Sequence, residues 1–193
     1  MIPFYSTTFT QSFKTEGSGT IGRNILGVLP SLYYSQKYII ISAHYDHLGV
    51  LGGKVYNGAD DNASGVTALL TLAEWFSNMR HDRNGPRINI LFAFFDAKES
   101  SLAGSEYFSK NLKIPASNII LNINIDQVGN TFAPPGKEEN YILCVADQKI
   151  KSELRRKLGI INSFYQLGMD IDYSFYGSRA FHELFFKTSD QYN

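Results

Sequence analysis

Cysteine is almost missing from this chain: among 193 residues there is one, Cys144, set in the apolar run YILCV. An internal disulfide is therefore excluded, and a small buried side chain is the plain reading of that thiol. An excess of one charge is missing too, since eighteen basic residues face eighteen acidic ones with no block of either. A nucleic-acid footprint or a basic membrane patch needs such an excess, so no nucleic-acid partner is expected. No apolar run reaches the roughly 18 residues of a membrane span, and MIPFYSTTFTQSFK lacks the basic-then-apolar order of a signal peptide. Internal repeats and low-complexity segments are lacking as well.

What is present is a hydrophobic content of 44%, enough in 193 residues for one sizeable core. The expectation is one domain over 1–193, with residues 1–22 as an N-terminal extension of undefined structure. Strand-like and helix-like segments then alternate. RNILGVLP, KYIIISA, RINILFAFF, NIILNINID and YILCVA read as strands, the second nearly continuous as in a strand buried on both faces. NASGVTALLTLAEWFSNM places Val66, Leu69, Leu70, Ala73 and Phe76 at helical spacing behind a capping Asn62 or Ser64, and Trp75 is expected to pack in the core. SLAGSEYFSKNL and DQKIKSELRRKLG read as further helices, the latter with Ile150, Leu154 and Leu158 on one face and a solvated charged face opposite. ELFF is assigned as a last strand. This alternation predicts an α/β protein: a three-layer α/β/α sandwich with a mixed, mainly parallel central sheet.

In such folds the chemistry gathers where strands end. KYIIISA runs into HYDHLG, so His44, Asp46 and His47 emerge together, with His44 and Asp46 on one side of an extended chain. YNGADDNASG offers Asp60 and Asp61 between a flexible Gly-Ala and a helix start, where helix capping is the simple alternative. Glu99 follows RINILFAFF, and Asp126 follows NIILNINID. Carboxylates brought together without a cation repel, so their convergence predicts a divalent metal, and with His44 in the set zinc fits better than calcium or magnesium.

In this order HYDHLG, YNGADDNASG, FAFFDAKESSLAGSEYF and NIDQVGN resemble the zinc-dependent aminopeptidase family of secreted bacterial leucyl aminopeptidases. Relatives of that family include glutaminyl cyclase, glutamate carboxypeptidase and the transferrin receptor, which keeps the fold without the activity. The resemblance runs from about Arg23 to the C-terminus. It implies an exopeptidase that cleaves N-terminal peptide bonds of a peptide or aminoacyl substrate with water activated on zinc. Its site of action would be secreted or periplasmic if a leader precedes this sequence. It also implies roles for particular residues: His44, Asp61 and Asp126 as ligands of one zinc, Asp46 orienting His44, Asp61 bridging to a second ion, Glu99 as ligand of that ion, and Asp60 as a neighbour without a ligand role.

Two positions depart from the family pattern. Lys98 stands where the family has its general-base glutamate, and aligning YSFY with the family's aromatics puts Asp172 where a histidine ligand would be. Asp172 can still bind zinc through oxygen, whereas His182, inside AFHELFF, is taken as structural. Asp96 is the other carboxylate near the position of the base. Lysine begins near pKa 10.4 and makes a poor base at neutral pH, so a non-catalytic peptide-binding relative and a single-zinc enzyme like glutaminyl cyclase stand beside the exopeptidase as alternatives. Tyr45, Tyr56, Phe132, Tyr165, Tyr173 and Tyr176 are the aromatic candidates for lining a substrate pocket.

Overall fold

The two most apolar runs of the chain form the middle of a sheet. In the computed structural model, which describes residues 1–5, 7–16, 19–131, 133–134, 140–174 and 178–192, two compact units appear: Met1–Gly129 with Ser189–Gln191, and Asn130–Thr188. The first contains β1 (Ile2–Pro3), β2 (Thr10–Lys14), β3 (Ile21–Leu29), β4 (Tyr38–His44), the hairpin of β5 (Gly49–Leu51) and β6 (Lys54–Tyr56), α1 (Gly65–His81), β7 (Asn89–Phe95), α2 (Ala103–Lys110) and β8 (Ile119–Asn124). Its main sheet runs β1-β3-β7-β4-β8, with β2 also paired to β3. β4 lies parallel to both β7 and β8, while β3 pairs antiparallel with β1, β2 and β7, so the sheet is mixed, with its parallel part on the β7-β4-β8 side.

Because side chains alternate across a strand, neighbours in β4 feed opposite layers. Ile40 packs with Leu26, Val28, Leu91, Ala93, Phe95 and, from α2, Phe108. Ile41 packs on the other face with Leu29, Ile90, Phe92 and, from α1, Leu69 and Ala73. Helices therefore cover both faces, as expected of a three-layer sandwich. Leu69 is fully buried, and each such side chain contributes about 1.5–3 kcal/mol by leaving water. Leu70 and Trp75 point the other way, each 56% exposed, so the expected core placement of Trp75 is corrected: the apolar stripe of α1 passes through Leu69 and Ala73, and position 75 falls outside its arc.

The N-terminal segment is also structured. β2 alternates buried and exposed residues, with Gln11 and Phe13 facing in. Gln11 Oε1 accepts from the Asn24 side-chain amide at 2.9 Å, and the same amide donates to the Gly104 carbonyl at 2.8 Å, which joins β2 and β3 to the start of α2.

The second unit contains β9 (Tyr141–Leu143), α3 (Lys151–Phe164), β10 (Asp170–Asp172) and α4 (Arg179–Lys187), with β9 and β10 parallel. The run assigned as a last strand, ELFF, lies inside α4, whose start is capped by Ser178. A four-residue apolar run fits either periodicity, and here the cap and the surrounding positions decide for the helix. Among the described residues no helix is long and apolar enough to cross a membrane.

Candidate metal centre

β4, β7 and β8 are parallel, so their C-terminal ends open on the same edge of the sheet, and the turn before α1 reaches that edge as well. His44 closes β4 with its side chain fully buried. Its Nε2 lies 3.1 Å from Asp61 Oδ1 and 3.3 Å from Asp126 Oδ1. Its Nδ1 lies 3.1 Å from the Asp46 carbonyl and 3.6 Å from that residue's carboxylate, so Nδ1 is the nitrogen committed to Asp46 and Nε2 the one turned to the two aspartates. Burial alone would push this imidazole down, yet the bonds to Asp126 and Asp46 and the charge of Asp126 raise it to about 10.

Asp46 has a further task. Its two carboxylate oxygens accept the backbone N–H groups of Lys98 at 2.9 Å and Glu99 at 3.1 Å. Burial would raise this carboxyl, but the His44 ring and the two N–H groups outweigh it and hold the group below its ordinary value. The chain reaches that clamp through Ala97, whose φ of 58° lies in the left-handed region and is held by Asp96 Oδ1 accepting its N–H at 2.8 Å. Asp96 Oδ2 accepts the Arg23 N–H at 2.8 Å, so both Asp96 oxygens are committed to backbone.

The bend carrying Asp61 depends on its neighbours. Gly58 has φ 67°, and a Cβ there would stand 2.7 Å from the Asp61 carbonyl and 2.8 Å from His47 Cβ. Asn62, also buried, donates to the Ile125 carbonyl and accepts from Gly65 and Gln127, which straps the start of α1 to the segment bearing Asp126. Asp60 accepts from Gly129 at 2.7 Å and from Ser64, which ties the turn to the segment after Asp126.

Among the described residues two sets of donor atoms arise, each within 4.8 Å: His44, Asp61 and Asp126, and His47, Asp61 and Glu99. Asp61 belongs to both. Its Oδ1 is buried and makes no well-aligned hydrogen bond although two nitrogens approach it, the situation of an oxygen suited to a cation. One imidazole and two carboxylates form a donor set that zinc accepts, so the first group fits that ion. In the second group His47 Nδ1 is buried, lacks a hydrogen-bond partner and lies 4.0 Å from Asp61 Oδ2. The Lys98 ammonium enters this group, 3.1 Å from Glu99 Oε1 and 3.5 Å from Asp61 Oδ1. Burial would lower Lys98, but Asp126, Asp61 and Glu99 prevail and hold it above its ordinary value.

Of the residues singled out in the sequence, His44, Asp46, Asp61, Lys98, Glu99 and Asp126 meet at this edge of the first unit. Asp172 lies in the second unit, where its carboxylate accepts from the Tyr141 hydroxyl at 2.7 Å and from Ser174 N and Oγ at 2.6 Å. His182 is also in that unit, buried in α4. Among the aromatic candidates, Phe132 and Tyr176 lie outside the described residues, the Tyr45 hydroxyl donates to the Arg23 carbonyl, and Tyr165 and Tyr173 belong to the second unit. Two members went unassigned in the sequence. His47 was visible in HYDHLG, three residues from His44. Asp190 had no local signal; it is 3% exposed, and burial pushes it up to about 6 against the pull of the Ser105 hydroxyl and His44.

The model of peptidase family M28 matches residues 24–159, well over half of the chain. The chain belongs to peptidase family M28. Curated relatives of this M28 chain include the "Probable lipoprotein aminopeptidase LpqL" of Mycobacterium tuberculosis, 34% identical over 150 residues, 77% of this chain and 25% of that protein. A "Probable zinc metalloprotease" of Pyrenophora teres f. teres is 31% identical over 126 residues, 61% of this chain and 26% of that protein. The M28 chain thus spans about a quarter of the length of these relatives. Among solved structures, a leucine aminopeptidase precursor from Bacteroides thetaiotaomicron superposes with a TM-score of 0.61 at 23% identity, covering 88% of this chain and 64% of that one. A glutaminyl cyclase from the same species gives 0.53 at 24%, covering 80% and 56%. At these identities the likeness is one of fold.

Proposed function

We propose that this M28 chain is a zinc-dependent exopeptidase domain that removes residues from peptide N-termini at a low rate. The observation that carries this reading is the convergence of His44 Nε2, Asp61 Oδ1 and Asp126 Oδ1 on one small space at the sheet edge. Zinc held there supplies Lewis acidity toward a scissile carbonyl and lowers the pKa of water. The Asp46 carbonyl accepts from His44 Nδ1, and the carboxylate of the same residue holds the Lys98–Glu99 backbone at the mouth of the site. Water must also lose a proton to a group with a free lone pair, and Lys98, kept as an ammonium by three carboxylates, offers none. Losing such a base costs about 10² to 10⁴-fold in rate, which sets the expected shortfall. The three donors of this reading all lie in the first unit, and Asp172 in the second unit is engaged by Tyr141 and Ser174. A secreted or periplasmic site of action goes with it, as the likeness to a lipoprotein aminopeptidase suggests.

The ion pairs of Lys98 with Asp61 and Glu99 favour one other reading, a relative that binds peptide ends without turning them over. Cleavage of aminoacyl nitroanilides by zinc-loaded protein, with and without a chelator, separates the two. Slow, chelator-sensitive release supports the exopeptidase. No release from either wild type or Lys98→Glu sinks it.

A further inference from the structure

The second donor group already contains a cation. Lys98 Nζ stands 3.1 Å from Glu99 Oε1 and 3.5 Å from Asp61 Oδ1, contacting two of its three members, and its side chain is only 16% exposed. A zinc ion binding the same oxygens would need them at about 2.0–2.2 Å, in the space between them that the ammonium holds. We propose that the Lys98 side chain replaces the second metal ion, so that the chain binds a single zinc through His44, Asp61 and Asp126 while Lys98 neutralises Glu99 and shares Asp61.

Charge supports this assignment. Asp61, Glu99 and Asp126 carry three negative charges, which one divalent ion and one ammonium balance; two divalent ions beside the ammonium would leave a net positive pocket, with like charges a few ångströms apart. Backbone geometry supports it as well. The N–H groups of residues 98 and 99 are both clamped by Asp46, so the lysine stem starts from a fixed point beside the donor group.

This inference rests on zinc at the His44 group, as the proposed function does, but it is read by counting ions and not by turnover. Zinc per chain is measured after equilibration with excess zinc and gel filtration, for wild type, Lys98→Met and Lys98→Glu, with circular dichroism as the check on folding. The expected counts are one for wild type and two for at least one folded variant, and Glu99→Gln added to that variant returns the count to one. Two ions in wild type, or one in both variants, overturns the inference and leaves the exopeptidase reading intact. One ion in wild type with no turnover in any form sinks the exopeptidase reading and leaves the inference standing. No zinc in wild type overturns both.

Discussion

The two donor groups share Asp61 and differ in almost everything else. The His44 group takes two of its donors from the ends of the parallel strands β4 and β8 and the third from the turn before α1, with the imidazole fully buried and its second nitrogen held by Asp46. The His47 group is assembled from loops, and a lysine ammonium sits within it. One group has its imidazole positioned by the core of the fold; the other has Glu99 positioned by a clamp on the main chain and paired with the Lys98 side chain. Sheet architecture therefore preserves a ligand set more firmly than a loop does, because moving His44 means disturbing Ala43, Phe95 and their neighbours.

The largest test of that contrast is Lys98→Glu, which exchanges the cation for a base. It should raise kcat on an aminoacyl nitroanilide by about 10² to 10⁴-fold, and unchanged kcat would mean that position 98 does not limit proton transfer. Next comes His44→Ala, which removes the buried donor: zinc affinity measured by competition with a chelating dye should fall by roughly 100-fold or more, whereas His47→Ala should leave it within about threefold. A comparable loss in both variants would erase the distinction between the groups. Asp46→Asn is smaller, weakening zinc by about 10 to 100-fold through the loss of a second partner to His44, while also loosening the Lys98–Glu99 clamp.

The one effect read on folding, not on zinc or rate, concerns Asp190, which feels His44, Asp126 and Asp46. Its folded pKa of about 6 lies above its ordinary 3.8, so the folded state favours the protonated form. The associated stability is present below about pH 4 and lost as pH rises through about 6. In chelated protein Asp190→Asn should therefore stabilise by on the order of 2–3 kcal/mol at pH 7.5, and the gain should vanish near pH 4 in denaturant titrations. A pH-independent difference would remove the case for a buried charge.

Much of this was legible in the sequence, and the exceptions have physical causes. Runs such as KYIIISA announce strands buried on both faces, and the polar residues following them can only lie at the sheet edge. β2 escaped because its inward positions are Gln11 and Phe13, and a buried glutamine bonded to Asn24 breaks the apolar alternation. ELFF was assigned to a strand because four residues cannot distinguish a period of 2 from one of 3.6. Trp75 was placed in the core by its type, although its angle on α1 turns it outward. At the site, His44, Glu99 and Asp126 stand out in the sequence because they follow apolar runs, but the position of the Lys98 ammonium between two carboxylates is a three-dimensional fact. Asp190 lies some sixty residues beyond Asp126, with nothing in its surroundings to mark it.

The Asp46 clamp grips amide hydrogens, and every residue except proline supplies one. Whatever side chain stands at position 98, the loop keeps its place and Glu99 keeps its aim. The fold can therefore carry a glutamate or a lysine there with little strain, and a single codon separates two very different chemistries mounted on the same frame.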